Sequence, residues 1–133
     1  MVRRLRPGDG EALRELALRF KSAAPSTEAA AAFLADERNV VIAAGTDGFA
    51  LGYELPRFDG DDTMVFLYEI GVVEERRRHG IGRALVHELR RQTPRARKMF
   101  VLTDDGWPAA PPFYAALGGR RVDPDQIMFE WRA

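Results

Sequence analysis

Residues 74–89 read EERRRHGIGRALVHEL, a knot of charge followed at once by two glycines and a helix-forming run. Within that run Ile81, Ala84, Leu85 and Leu89 recur at helical spacing and give one apolar side, and Pro94 limits the helix. Ahead of it lies TMVFLYEIGVV, residues 63–73, apolar on both faces and therefore expected as the central strand of a sheet. A strand that turns through glycine into a helix leaves unpaired backbone N–H groups and a partial positive charge at the helix start, and an anion placed there completes both. Gly80 and Gly82 lack the β-carbon that would hold ligand oxygens away, and Arg76, Arg77 and Arg78 can add bidentate contacts. The competing reading is a solvated arginine turn ahead of a surface helix.

Outward from this segment, helix and strand signals alternate without a long linker or a repeat. Residues 2–5 can form a short strand. Asp9 is placed to cap a helix carrying Ala12, Leu13, Leu16, Ala17 and Phe20, and Ser26 to cap a second, TEAAAAFLADE. Two short strands, residues 40–44 and 49–55, are expected to form a hairpin at Asp47-Gly48. Beyond the central helix come a strand in MFVLT, a short helix in PPFYAALGG closed by Gly118, and a terminal strand pair, RRV with IMFEW. The chain of 133 residues, 46% hydrophobic, suffices for one core and is too short for two ordinary domains, so a single domain, 1–133, is expected. The expected class is mixed α/β, a mostly antiparallel central sheet flanked by helices.

Composition removes several functions. Twenty basic and twenty acidic residues cancel, so no global field draws the protein to nucleic acid or an anionic membrane. Without cysteine there is no disulfide frame, thiolate metal site or cysteine nucleophile, and two histidines are too few for a histidine-rich site, so no metal is expected. No apolar run follows the basic start MVRRLRPGDG or reaches membrane-spanning length, so a cytoplasmic protein is expected.

The anion can be narrowed. The pattern G-x-x-x-x-G-K-[ST] is absent because no lysine follows the glycines, and G-x-G-x-x-G fails because Leu85 stands where its third glycine belongs. What fits is R-x-x-G-x-G, Arg77-Arg78-His79-Gly80-Ile81-Gly82, after a strand ending Gly71-Val72-Val73. In this the chain resembles the GNAT superfamily of acyl-CoA N-acyltransferases from Phe33 onward, including the FYAALG helix. The resemblance implies a GNAT-like fold with about four helices, acetyl-CoA as cofactor, and a coenzyme A pyrophosphate held by the backbone of residues 77–83, Arg83 included. LPRFDGDDTMVFLYEIGVV with ERRRHGIGRALV is closest in pattern to the aminoglycoside 3-N-acetyltransferase branch.

The implied chemistry sets residue roles. An alkylamine near pKa ~10 is protonated at pH 7, so acyl transfer to it needs a base. Strand alternation puts Glu69 on the side of Val65 and Leu67, where apolar surroundings would raise its pKa toward that of a useful base. The alternative is a structural carboxylate paired with an arginine. Tyr114, matching the family tyrosine proposed as general acid for the departing thiolate, is the second catalytic candidate; its alternative is a core ring with its hydroxyl at the surface. The strand end Gly71-Val72-Val73 resembles the family's edge for the pantetheine arm, whose N–H groups could also hold a developing oxyanion.

Asp59, Asp61, Asp62, Asp104 and Asp105 gather in two loops that the resemblance places toward the acceptor, where acids would draw a cationic amine; as turn formers they need no function. Trp107 and Pro108 depart from the acidic pattern of the aminoglycoside branch, so an antibiotic substrate does not follow. Expected partners are a small-molecule amine, no nucleic acid and no membrane, with a homodimer left open. Two other readings stand beside the transferase: an acyl-CoA sensor without transfer, and a nucleic-acid module using Arg76 to Arg78 with residues 90–98.

Overall fold

A five-stranded sheet runs in chain order: β1 (Arg3–Arg4), β2 (Asn39–Ala44), β3 (Gly48–Pro56), β4 (Thr63–Val72) and β5 (Ala96–Phe100). Helices α1 (Gly10–Lys21) and α2 (Thr27–Ala35) precede β2, α3 (Ile81–Gln92) joins β4 to β5, and α4 (Ala110–Ala116) follows. These elements come from a computed structural model, which describes residues 1–103, 108–122 and 128–132. The described residues form two compact units, Met1–Leu102 with the sheet, and Thr103–Ala133 with α4.

β1 to β4 pair antiparallel, and β4 pairs with β5 in parallel, with α3 as the crossover that a parallel pair requires. β4 is an inner strand with neighbours on both sides, whereas the middle place falls to β3. On one sheet face Leu16 of α1 and Leu34 of α2 close over Leu5, Val41, Ala43 and Phe49. On the other, α3 buries Leu85, Val86 and Leu89. Its closest approach is at Gly52, where a β-carbon would stand 2.8 Å from Leu89 Cδ1.

Local signals hold with adjustments. Ser26 Oγ accepts from the Ala29 amide at 3.1 Å and caps α2. Asp9 stands at the start of α1 but does not cap it: its carboxylate accepts instead from the Arg6 amide at 2.7 Å and from Arg3 at 3.0 Å. The hairpin turns on Gly45, φ +55°, and Gly48 already pairs with Ala44, so Asp47-Gly48 is the exit of the turn. β5 begins at Ala96, earlier than its apolar run suggests, because pairing with Thr63 recruits the exposed Arg97 and Lys98.

In the second unit, Pro111 and Pro112 lie in the first turn of α4, where proline is tolerated, and Gly118 closes the helix at φ +91°. The expected terminal strand pair is not formed among the described residues. Val122, Met128, Phe129 and Trp131 are exposed, and Ile127 of the expected pair lies outside the described residues.

Candidate functional site

Three features of the first unit meet around the end of β4: an irregularity in the strand, an open edge, and the start of α3. The irregularity lies in the β3 ladder, where Leu51 pairs with Glu69 but Gly52 pairs with Leu67, leaving Tyr68 as an extra residue. Leu51 belongs to the face covered by α1 and α2, so Glu69 opposite it takes that face as well. Val65 and Leu67 lie on the α3 face and are fully buried. The expectation that Glu69 sits beside them is therefore corrected: the bulge reverses the alternation.

What Glu69 meets is Lys21, whose Nζ donates to its Oε2 at 2.7 Å. That hydrogen bond, and after it the carboxylate's charge, holds the Lys21 ammonium above its usual pKa. The side chains are 57% and 31% exposed, so the pair is open to solvent rather than sealed among apolar groups. Beside it runs a row of rings: Phe33 on Tyr53, Tyr53 on Tyr68 with centroids 5.5 Å apart, Tyr68 on Phe66, and Phe66 stacked on Phe100 at 4.8 Å. Burial, then Tyr68 and Glu69, pushes the Tyr53 hydroxyl above its ordinary pKa. Lys21, Tyr53 and Phe33 lie far from Glu69 in the chain, and no sequence spacing announces them.

The open edge follows from how β5 pairs. It matches β4 at Thr63, Val65 and Phe66, and among the described residues no strand continues beside the rest of β4. Antiparallel strands turn alternate amides toward each neighbour. Val73 N–H bonds the Asp47 carbonyl at 2.8 Å, whereas the Val72 carbonyl accepts from Arg77 Nε at 3.1 Å, away from β3. Val72 is thus the residue whose amide faces the open edge. Val73, grouped with it in the sequence, has its amide committed elsewhere. Gly71 is glycine for a packing reason, since a β-carbon would come within 2.9 Å of Phe49 and 3.0 Å of Phe20.

The start of α3 has the form of an anion site. Glu74–Arg76 makes a 3-10 turn, Arg78 takes a left-handed conformation at φ +66°, and Gly80 does so at φ +82° as N-cap. The first helical bond runs from the Ala84 amide to the Gly80 carbonyl at 3.0 Å, and no side chain among the described residues caps the end. The amides of Ile81, Gly82 and Arg83 therefore have no intrahelical acceptor. Among the described residues nothing stands within 4 Å of a β-carbon at Gly80, so its glycine serves backbone conformation rather than space. Arg76 and Glu75 are held to Asp47 and Arg19 at 3.5 and 3.6 Å, whereas Arg78, His79 and Arg83 are exposed.

The acidic loop is less free than its sequence suggests. Arg57 pairs with both Asp59 and Asp62 at 3.0 Å, and the Asp61 carbonyl accepts from Arg95 at 2.6 Å. This loop borders a cleft of about 640 Å³ at the opposite end of β4 from the α3 start. Its mutually paired arginines and acids make a polar surface groove, not the site described above. Asp104 and Asp105 lie outside the described residues. Tyr114 stands on α4 with its ring against Phe113 at 5.2 Å, and burial raises its pKa. Among the described residues no group of acids and histidines could hold a metal, and no helix is long and apolar enough to cross a membrane.

The model of the acetyltransferase (GNAT) domain family matches residues 28–118. The chain belongs to the GNAT family. Its activity is that of an N-acetyltransferase. The GNAT fold is shared with solved structures across the whole chain. An aminoglycoside acetyltransferase from an uncultured soil metagenomic sample, in complex with sisomicin, aligns with a TM-score of 0.85 at 17% identity, covering 100% of this chain and 95% of that one. Another from such a sample gives 0.83 at 20%, covering 100% and 97%. Aminoglycoside N-acetyltransferase AAC(6')-Iy, with a bisubstrate analogue joining CoA to acetylneamine, gives 0.80 at 21%, covering 100% and 98%. At these identities the likeness is one of fold, and it does not single out the 3-N branch. No match is found among curated proteins.

Proposed function

We propose that this GNAT chain moves an acetyl group from acetyl-CoA to the primary amine of a small cationic acceptor. The observation that carries the reading is the start of α3, with Gly80 at φ +82° and no side-chain cap among the described residues, next in the chain to a β4 edge that no described strand covers beyond Phe66. The amides of residues 81–83 suit the pyrophosphate, with Arg78, His79 and Arg83 around it. The Val72 amide suits the pantetheine arm or the thioester oxygen. Bound acetyl-CoA supplies the acetyl thioester. The family match spans residues 28–118 and so crosses the boundary between the two units, which supports reading the chain as one domain.

Glu69 takes the ammonium proton of the acceptor, directly or through water, in place of the contact it makes with Lys21. Tyr114 returns a proton to the departing thiolate; a phenol whose pKa is raised by burial stays protonated at neutral pH and able to donate. The ring row of Tyr53, Tyr68 and Phe66 beside Glu69 offers faces that attract a cation. These groups suit acceptor binding better than Asp59, which its own loop already neutralises. An aminoglycoside is one candidate acceptor, in line with what the structural neighbours bind.

The test is thiol release from acetyl-CoA with a panel of aminoglycosides, polyamines, amino acids and peptides. At least one amine should accelerate release well above the amine-free rate. Binding of acetyl-CoA by calorimetry with no release for any amine would favour the sensor reading, and absence of binding would remove both.

A further inference from the structure

The last turn of α1 reaches the site through three consecutive side chains. Arg19 lies 3.6 Å from Glu75, the Phe20 ring packs on Phe49 at 5.0 Å beside Gly71, and Lys21 donates to Glu69 at 2.7 Å. Glu69, Gly71 and Glu75 bracket Val72, whose amide faces the open edge. The helix ends at once, because Ser22 turns left-handed at φ +62°, so Lys21 is its last residue and sits on an anchored backbone. Its side chain nevertheless remains more than half exposed.

The sequence sharpens this contact. Of twenty basic residues only two, Lys21 and Lys98, are lysines. The rest are arginines, whose guanidinium keeps its proton and is a poor acyl acceptor. One of the two lysine amines in the chain therefore rests on the carboxylate assigned as base.

We infer that Lys21 is an internal acceptor: with no amine substrate bound, the chain acetylates its own Lys21 Nζ. The inference rests on the acetyl-transfer reading above. Lys21 gives one proton to Glu69, and its nitrogen lone pair forms the N–C bond as the C–S bond breaks. A proton returns to the sulfur, and the products are neutral N-acetyllysine, a free thiol and one proton released to solvent. Holding the amine on its base converts a bimolecular encounter into a unimolecular one. The product has lost its charge, so Glu69 loses its ion-pair partner while the acetylated side chain still reaches the acceptor position.

The experiment is incubation of the full chain with acetyl-CoA and no acceptor, followed by intact mass and peptide mapping. Lys21 should gain one acetyl group at a rate independent of protein concentration, and about tenfold or more faster than exposed Lys98, which reports solution chemistry. Lys21→Arg should abolish the gain while binding acetyl-CoA with unchanged Kd. Glu69→Gln, with thermal midpoint and Kd retained, should slow it on the order of 10²-fold. Equal labelling of the two lysines, or a rate that rises with protein concentration, would overturn the inference. So would an unmodified Lys21 in a protein that acetylates panel amines, and in that case the transferase reading stands. If acetyl-CoA neither binds nor releases thiol with any amine, that reading fails first and this one with it.

Discussion

Leu51 is the cross-strand partner of Glu69, and this pairing commits the carboxylate to the α1 side of the sheet. Had β4 been regular, Glu69 would have followed Val65 and Leu67 toward α3. One extra residue, Tyr68, exchanges an apolar enclosure for a half-open position among Lys21, Tyr53 and Tyr68.

Glu69→Gln keeps the size and hydrogen-bonding reach of the side chain but cannot accept a proton. With the best amine acceptor, kcat should fall by about 10²–10⁴-fold, the usual contribution of a general base. The acetyl-CoA Kd from calorimetry should not move. A parallel loss of binding and turnover would assign Glu69 a structural role.

Gly80 is held at φ +82° with open space around it, so a substitution there meets strain without collision. Gly80→Ala should cost roughly 1–2 kcal/mol in urea unfolding, the ordinary penalty of a left-handed alanine. It should also weaken acetyl-CoA binding by tilting the first amides of α3. Gly80→Asn, which tolerates this conformation better, should recover part of both. Identical losses for alanine and asparagine would mean that backbone conformation is not what the position requires.

Gly52 and Gly10 should respond in opposite directions. A β-carbon on Gly52 would lie 2.8 Å from Leu89 Cδ1 and 3.2 Å from Val65 Cγ1, in a layer already filled. Gly52→Ala should therefore destabilise by about 1–3 kcal/mol through overpacking. At Gly10 the nearest atom would be 3.7 Å away, within a helix, so Gly10→Ala should leave stability unchanged or raise it by up to ~1 kcal/mol. Chemical denaturation of the two variants separates crowding from backbone entropy.

Glu88 gives the clearest acid response. Arg91 and then Gln92 donate to its carboxylate, with distances of 2.6–2.8 Å, and lower its pKa from 4.5 to about 2. Because the folded value lies below the unfolded one, the stabilisation is complete above pH 4.5 and is lost as pH falls toward 2. Glu88→Gln should be less stable than the parent near pH 7, and the difference should shrink steadily across that acid window. A difference that stays constant down to about pH 2 would show that the carboxylate's charge plays no part.

The order of helices and strands was legible because each carries its own local signal: Ser26 ahead of an alanine-rich run, Leu85 and Leu89 at helical spacing, an apolar stretch from Thr63. The turn into α3 was equally legible, since glycine at 80 and the helix behind it are neighbours in the chain. What could not be read is set by pairing across distance. The ladder slips at Leu51, and nothing within TMVFLYEIGVV marks Tyr68 as the extra residue. Lys21 reaches Glu69 across 48 residues. The start of β5 depends on Thr63, and the division of labour between Val72 and Val73 on the Asp47 carbonyl, which accepts from the Val73 amide, and on Arg77, which donates to the Val72 carbonyl. Asp59 looked available because the sequence does not show that Arg57 folds back onto it.

The short alignment of β5 with β4 also shapes how the molecule comes apart. β2 to β4 form a meander of neighbours closed by short loops, whereas β5 joins through three matched positions and only after α3 has crossed the sheet. Contacts of long sequence separation form late and open early when little area seals them. The fifth strand is thus held more loosely than the β2–β4 meander, and fluctuations there would widen the gap beside Val72 while that meander stays intact.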